Sequence, residues 1–203
     1  EPFTAFTSRT SVVKVGLQEK PIIIGERINP TGRKVLAEEI RKGSFIMVKK
    51  DALAQVEAGA DVLDVNMGVT GVDPGETMKR AIEELTMLVE VPLSIDTLDP
   101  VAMEAGLKAY PGRPLLNSVN AEPERLEAVL PLAKRYGAAL LCLPLGKKEL
   151  PETAEERVSL AKEIVLEAYN YGLRPNDLLL DPLVLTLASS QHAARETLKT
   201  LKL

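Results

Sequence analysis

Residues 92–100 read Pro92-Leu93-Ser94-Ile95-Asp96-Thr97-Leu98-Asp99-Pro100. A short β-type apolar run closes on a polar residue, and an Asp-Pro pair then opens a helix with proline in the first turn, where its missing N–H is not needed. The same unit recurs in both directions along the chain. Further apolar runs lie at Pro21 to Asn29, Val62 to Asn66, Pro114 to Ser118, Ala138 to Pro144 and Leu178 to Pro182. Segments with helical spacing separate or follow them: Lys49 to Ala58, Glu76 to Val89, Pro123 to Tyr136, Ala154 to Tyr171 and roughly Gln191 to Leu201. Glu122-Pro123 reads as a second helix start, and Gly59, Gly106, Gly137 and Gly172 as helix stops. Runs that are apolar throughout, rather than alternating, belong to strands buried on both faces, and crossovers of this length join parallel neighbours. The architecture expected is a parallel α/β fold.

The positions of the polar residues select a barrel over an open sheet. Glu26, Asp64, Asp96, Asn117 and Asp181 all fall at or near the C-terminal ends of their strands. Glu26 and Asp181 are 155 positions and five steps apart, a step of about 31 residues. That cadence belongs to a (β/α)8 TIM barrel, whose chemistry sits at the C-terminal mouth and draws on several strand ends. A doubly wound sheet would place its site at one switch point, usually behind a Gly-x-Gly-x-x-Gly turn, and the sequence has none. Six βα units are readable, where a full barrel takes ~250 residues. The expectation is therefore a barrel domain over residues 21–203, incomplete at its C-terminus, preceded by a linker or cap over residues 1–20.

Composition narrows the function classes. The 203 residues include 25 Lys+Arg against 29 Asp+Glu, three Phe, four Tyr and no Trp, a net charge of −4. Nucleic-acid binding, which uses a basic face and aromatic platforms, is set aside. Membrane insertion is set aside as well, because no stretch approaches ~18 uninterrupted apolar residues. One Cys and one His cannot build a soft-ligand zinc cage, although a carboxylate-bound hard cation stays open. The lone Cys142 fits a reducing, cytoplasmic setting.

Side chains two apart on a strand share a face, so Asp64 with Asn66, and Ser94 with Asp96, can point into the barrel together. With Asn117 and Asp181 they form a ring of carboxylates and amides above an apolar interior. The ring holds no nucleophile beside a base, since Ser94 and Ser118 lack a histidine partner and no Lys ends a strand. Such a mouth suits a neutral ligand rich in N–H donors, because a carboxylate accepts two parallel N–H bonds while an amide gives one and takes one. A pterin, with a ring N–H beside an exocyclic amine, is that kind of ligand.

Five strand-end motifs, Gly25-Glu26-Arg27-Ile28-Asn29, Asp64-Val65-Asn66, Ser94-Ile95-Asp96-Thr97, Leu116-Asn117-Ser118 and Asp181-Pro182-Leu183, resemble those of the pterin-binding methyltransferases. That family comprises the folate module of cobalamin-dependent methionine synthase and the methyltetrahydrofolate:corrinoid/iron–sulfur protein methyltransferases. The match runs in order from Pro21 to Leu203, and the leading segment around Phe3 to Thr10 resembles the linker that enters the folate module of multidomain methionine synthases. The resemblance implies that Asp96, Asn117 and Asp181 hydrogen-bond the pterin and that Glu26, Asp64 and Asn66 line the same pocket. It implies 5-methyltetrahydrofolate as substrate, cobalamin held by a partner module as methyl acceptor, and a homocysteine-binding module as a further partner. Family members protonate the leaving nitrogen with an Asn of a Gly-Leu-Ser-Asn motif on the seventh strand; the motif is absent here, so no catalytic residue is assigned within this chain.

Dihydropteroate synthase, with the same barrel and a similar third strand, is the nearest alternative, but its usual Asn-Val-Thr-Pro-Asp-Ser-Phe-type first loop is replaced by Ile28-Asn29-Pro30-Thr31-Gly32. A non-catalytic folate-binding module is the other. Plain structural roles are expected for Cys142 and Met67 as packing residues, for His192 on a solvated helix face, and for Gly71 to Glu76 as a turn.

Overall fold

The computed structural model describes residues 3–147, 150–184 and 191–203. The chain opens with an antiparallel hairpin, β1 (Thr4–Thr7) and β2 (Val12–Val15), and continues into six parallel strands: β3 (Ile24–Ile28), β4 (Val62–Asn66), β5 (Leu93–Asp96), β6 (Leu115–Val119), β7 (Ala139–Cys142) and β8 (Leu178–Leu180). Helices α1 (Lys34–Arg41) and α2 (Ile46–Glu57) join β3 to β4, and α3 (Pro74–Leu88), α4 (Pro100–Ala109), α5 (Pro123–Tyr136) and α6 (Ala154–Asn170) make the next four crossovers; α7 (Gln191–Thr200) follows β8. The strands pair in sequence order, from β3 to β8, all parallel. Order without reversal means no switch point, so these are six consecutive βα units of a TIM barrel.

Helix starts follow the local chemistry. Asp73 and Asp99 each accept first-turn N–H bonds ahead of a proline, and Thr153 with Glu156 closes a capping box at α6. Gly137 ends α5 in the left-handed region, and Gly59 and Gly172, also at positive φ, follow α2 and α6. Gly106 corrects the reading: it lies within α4 rather than at its end. A Cβ there would stand 3.1 Å from Met78 Cγ and 3.2 Å from Ile95 Cδ1, so the missing side chain serves close packing of α4 against α3 and β5. Helix α1 is a further difference. It lacks a side-chain cap and an acidic first turn, so only the spacing of its buried Leu36 and Ile40 marks it. Strand β7 is shorter than expected: the Leu143 N–H still reaches Val119 O at 2.8 Å, but Pro144 has no N–H to continue the ladder.

Two apolar layers result. One lies between the outward faces of the strands and the helices, with Leu63, Val65, Leu93, Ile95, Leu116 and Leu140 fully enclosed. The other fills the barrel interior, where Val62, Leu115 and Ala139 close around Phe6 of the hairpin. The hairpin is tied to the floor through Thr7 and Arg113, which exchange backbone hydrogen bonds at 2.9 and 3.1 Å. The Arg113 guanidinium also donates to Ala5 O and to Asp177 Oδ1. Gly112 permits this approach, since a Cβ would fall 2.2 Å from Thr7 O. Phe6 is completely buried and Val12 of the same hairpin is 62% exposed. Phe6→Ala is expected to lower unfolding stability by about 3–5 kcal/mol and Val12→Ala by under about 0.5 kcal/mol, read by urea denaturation; equal effects would show that the plug contributes nothing.

Candidate functional site

The ladder of β4, β5 and β6 puts the polar residues side by side. Asp64 is level with Ser94, Asn66 with Asp96, and Asp96 with Asn117, and level residues of parallel strands share a face. Asn66 Nδ2 donates to Asp96 Oδ2 at 2.9 Å, while its Oδ1 accepts the Gly68 N–H at 2.9 Å. Asn117 Nδ2 donates to Asp64 Oδ1 at 3.2 Å. Both amides therefore spend an N–H on a carboxylate. Asp96 Oδ1 and Asn117 Oδ1 accept no N–H among the described residues, and the only other donor to Asp96 is the Asp64 carboxyl when protonated, so the open side of the cluster is rich in acceptors.

Burial dominates the electrostatics. Asp64 is only 7% exposed, and desolvation pushes its carboxyl up to about 6; the charges of Asp96 and Glu26 add to the rise, and the Ser94 hydroxyl and Asn117 amide oppose it. The Ser94 hydroxyl is fully buried and completes no hydrogen bond of acceptable geometry, so it acts on Asp64 only as a nearby dipole. Asp96 is raised as well, again first by burial, with the Asn66 amide, a hydrogen bond with the Asp64 carboxyl and the Arg125 guanidinium pulling the other way.

The structure does not bring every expected residue into this cluster. Glu26 is exposed, in the middle of β3 rather than at its end, and reaches Asp64 through its charge. The register of β3 shifts after Gly25, and its end is held by side chains instead: Gln55 Oε1 accepts the Arg27 N–H at 2.7 Å, and Arg33 donates to Arg27 O and to Asp51 Oδ2. Asp181, just past β8, lies two strands beyond Asn117 in the sheet, roughly 10 Å at ordinary strand spacing. Its backbone N–H continues the ladder to Cys142 O, and its Oδ1 accepts the Leu183 N–H at 2.8 Å; among the described residues no donor reaches its second carboxylate oxygen. Between these polar ends, Leu141 and Leu179 belong to the interior layer and give the mouth an apolar floor.

Two arginines at the mouth escaped the sequence reading. Arg125 on α5 donates to Ser118 O, Thr97 O and Leu98 O. Arg157 on α6, 1% exposed, donates to Pro151 O, Pro182 O, Leu183 O and Thr197 Oγ1, and so braces the loop that carries Asp181. A signal existed: both cations sit in the first turns of their helices, the end at which the helix dipole disfavours positive charge. The remaining residues have structural roles. Cys142 is buried with its thiol pushed up to about 12, Met67 is buried, Asp73 in the Gly71–Glu76 turn caps α3, and His192 is 70% exposed beside Glu196. Among the described residues no three His, Cys, Asp or Glu side chains converge as a metal site, and no helix is long and apolar enough to cross a membrane.

The raised Asp64 gives a signed expectation. Folded, it keeps its proton to about pH 6; unfolded, it releases it near the ordinary 3.8. Between those values the folded state binds more protons, so its contribution to stability falls as pH rises from about 4 to about 6 and is constant above. Asp64→Asn mimics the protonated form, and is expected to match the parent near pH 4 and exceed its stability by roughly 2–3 kcal/mol at pH 8. Urea denaturation at both pH values checks this; the same difference at each would remove the buried charge as its cause.

Residues 25–202 match the family model described as pterin binding enzyme. The methylcorrinoid:tetrahydrofolate methyltransferase of Eubacterium limosum is 32% identical over 177 residues, which are 85% of this chain and 64% of that protein. The methionine synthase of Mycobacterium tuberculosis is 29% identical over 180 residues, 86% of this chain and 15% of the relative. The chain thus spans less than two-thirds of either. Among solved structures, dihydropteroate synthase of Xanthomonas albilineans with 4-aminobenzoic acid superposes with a TM-score of 0.71, covering 100% of this chain and 74% of that one at 22% identity, a likeness of fold. With the match running from the start of β3 to just past α7, the chain belongs to the pterin-binding enzyme family, and the two relatives are named as a methylcorrinoid:tetrahydrofolate methyltransferase and a methionine synthase.

Proposed function

We propose that the chain binds 5-methyltetrahydrofolate at its barrel mouth and positions it for methyl transfer from N5 to cob(I)alamin carried by a partner module. The observation that carries this reading is the acceptor face made by Asp96 and Asn117, level in the sheet and each already braced by a neighbouring amide or carboxylate. A pterin edge offers adjacent N–H donors to such a face, and Asp181 supplies a further acceptor across the Leu141 and Leu179 floor. The names of the two relatives, one a methylcorrinoid:tetrahydrofolate methyltransferase and one a methionine synthase, support the choice of ligand class. The former names transfer in the opposite sense, and one binding site serves both directions because they share a transition state.

The chain's own residues bind and orient; holding reactants in line is the entropic share of the barrier. When the N5–methyl bond breaks, its electron pair stays on N5, which must gain a proton or a strong hydrogen bond. The residues present do not fit a cobalamin-binding role: the sequence has no Asp-x-His-x-x-Gly, and its one histidine, His192, pairs with Glu196 on α7. Nor does a lone buried Cys142 suit zinc activation of homocysteine. Acceptor and thiol accordingly belong to partner modules, in a cytoplasmic setting.

Asp96→Asn tests the site. Asn66 would claim the oxygen of the new amide and turn its NH2 toward the ligand, setting donor against donor. Removing an acceptor costs roughly 1–3 kcal/mol, so Asp96→Asn and Asp181→Asn are each expected to weaken 5-methyltetrahydrofolate binding about tenfold in calorimetry, with cooperative unfolding retained. Unchanged affinity in both would sink the assignment. Tighter binding of a pterin pyrophosphate than of methyltetrahydrofolate would favour a synthase instead, and folate binding with no methylation of added cob(I)alamin by the partnered protein would leave a carrier module.

A further inference from the structure

The guanidinium of Arg125 is where the helical layer meets the mouth. Arg125 is the third residue of α5, after Pro123 and Glu124, and it is half-buried. It makes four hydrogen bonds, all to backbone carbonyls: Nε and Nη2 to Ser118 O at 2.9 and 2.6 Å, Nη2 to Thr97 O at 2.8 Å, and Nη1 to Leu98 O at 2.7 Å. These carbonyls belong to the two residues that follow Asp96 and the one that follows Asn117. The two strand ends are otherwise joined past Asp96 by a single backbone bond, from the Thr97 N–H to Asn117 O at 3.1 Å. No salt bridge satisfies the cation among the described residues, and its partners are the carbonyls that ligand-facing strand ends leave open.

We propose that Arg125 is a positioning residue, whose planar guanidinium, spanning the carbonyls after β5 and β6, sets the distance and angle between Asp96 and Asn117. The proposal rests on the pterin-site reading above and deepens it. A planar fork with fixed N–H directions can hold three carbonyls at once; an ammonium, a point charge on a flexible stem, keeps the charge and loses that geometry. The charge has its own effect on Asp96. The charged and titratable groups facing Asp96 are Asp64 on β4 and Arg125 on α5, with the neutral Asn66 amide on β4 and Asn117 amide on β6; burial raises Asp96, and the hydrogen bonds of Asn66 and Asp64 and the charge of Arg125 oppose the rise. Geometry and charge are therefore separable by substitution.

The test uses the full chain with three measurements: urea denaturation, carbon NMR titration of the Asp96 carboxyl without ligand, and calorimetry with 5-methyltetrahydrofolate. Arg125→Lys is expected to leave the Asp96 titration near that of the parent while weakening the ligand about tenfold or more, the penalty of a displaced binding group. Arg125→Gln is expected to weaken the ligand similarly and also to move the Asp96 midpoint upward. Should Arg125→Gln fail to unfold cooperatively, the lysine variant alone decides. Parental ligand affinity in Arg125→Lys would overturn the positioning role. If the parent binds no reduced pterin, the pterin-site reading fails by itself. In that case Arg125 is judged by the ligand-free backbone shifts of Thr97, Leu98 and Ser118: movement of all three in Arg125→Lys upholds the tie, and unchanged shifts overturn it.

Discussion

The register of three parallel strands is the constraint on which the site depends. Because side chains alternate with period two, a one-residue slip of β5 would turn Ser94 and Asp96 toward the helices and bring Leu93 and Ile95 into the mouth. The slip is opposed on both sides at once. Leu63, Val65, Leu93 and Ile95 lie wholly inside the helix-facing core, and on the other face Asn66 meets Asp96 while Asn117 meets Asp64. The helix-facing core and the polar cluster therefore specify the same alignment, a consistency between levels that favours a single native state.

Holding those carboxylates in place works against stability. Asp64 sits under Asp96 with Glu26 close enough to add to its discomfort, and desolvation keeps its proton on well above the ordinary carboxylate range. The protein offsets this in two ways. Side-chain amides of Asn66 and Asn117 donate to the carboxylates, and the rest of the cost is carried by the floor beneath, where Phe6 seals the barrel interior against Val62, Leu115 and Ala139. The polar cluster and the apolar plug thus occupy opposite ends of the same strands, the division usual in barrels of this kind.

The mouth is also braced from outside. Arg125 and Arg157 lie in the first turns of α5 and α6, against the preference of the helix dipole, and both direct their donors to carbonyls of loops that follow the strands carrying the mouth's polar residues. At β3 the corresponding duty falls to Gln55 and Arg33. Loops at strand ends are the least constrained parts of a barrel; crossing them with guanidiniums and amides from the helical layer gives rigidity where a binding site needs it.

Much of this was legible in the chain itself. The apolar runs, the Asp-Pro starts and the 31-residue cadence named a parallel barrel of six units, and polar residues at strand ends named the mouth. These are local signals: period, caps and composition depend only on near neighbours. Helix α1, without a cap, and Gly106, inside α4 for the sake of Met78 and Ile95, were not readable in that way. Nor was the division of labour among the site residues. That Asn66 is consumed in bracing Asp96, that Asp64 is desolvated, and that Arg125 spans two strand ends depend on contacts between residues 28 to 53 positions apart. Sequence determined which groups arrive at the mouth, because strand period and βα cadence put them there. Only the tertiary structure decided which of them keep an acceptor open and which hold the others, because hydrogen bonding and burial are properties of neighbours that folding, not chain order, supplies.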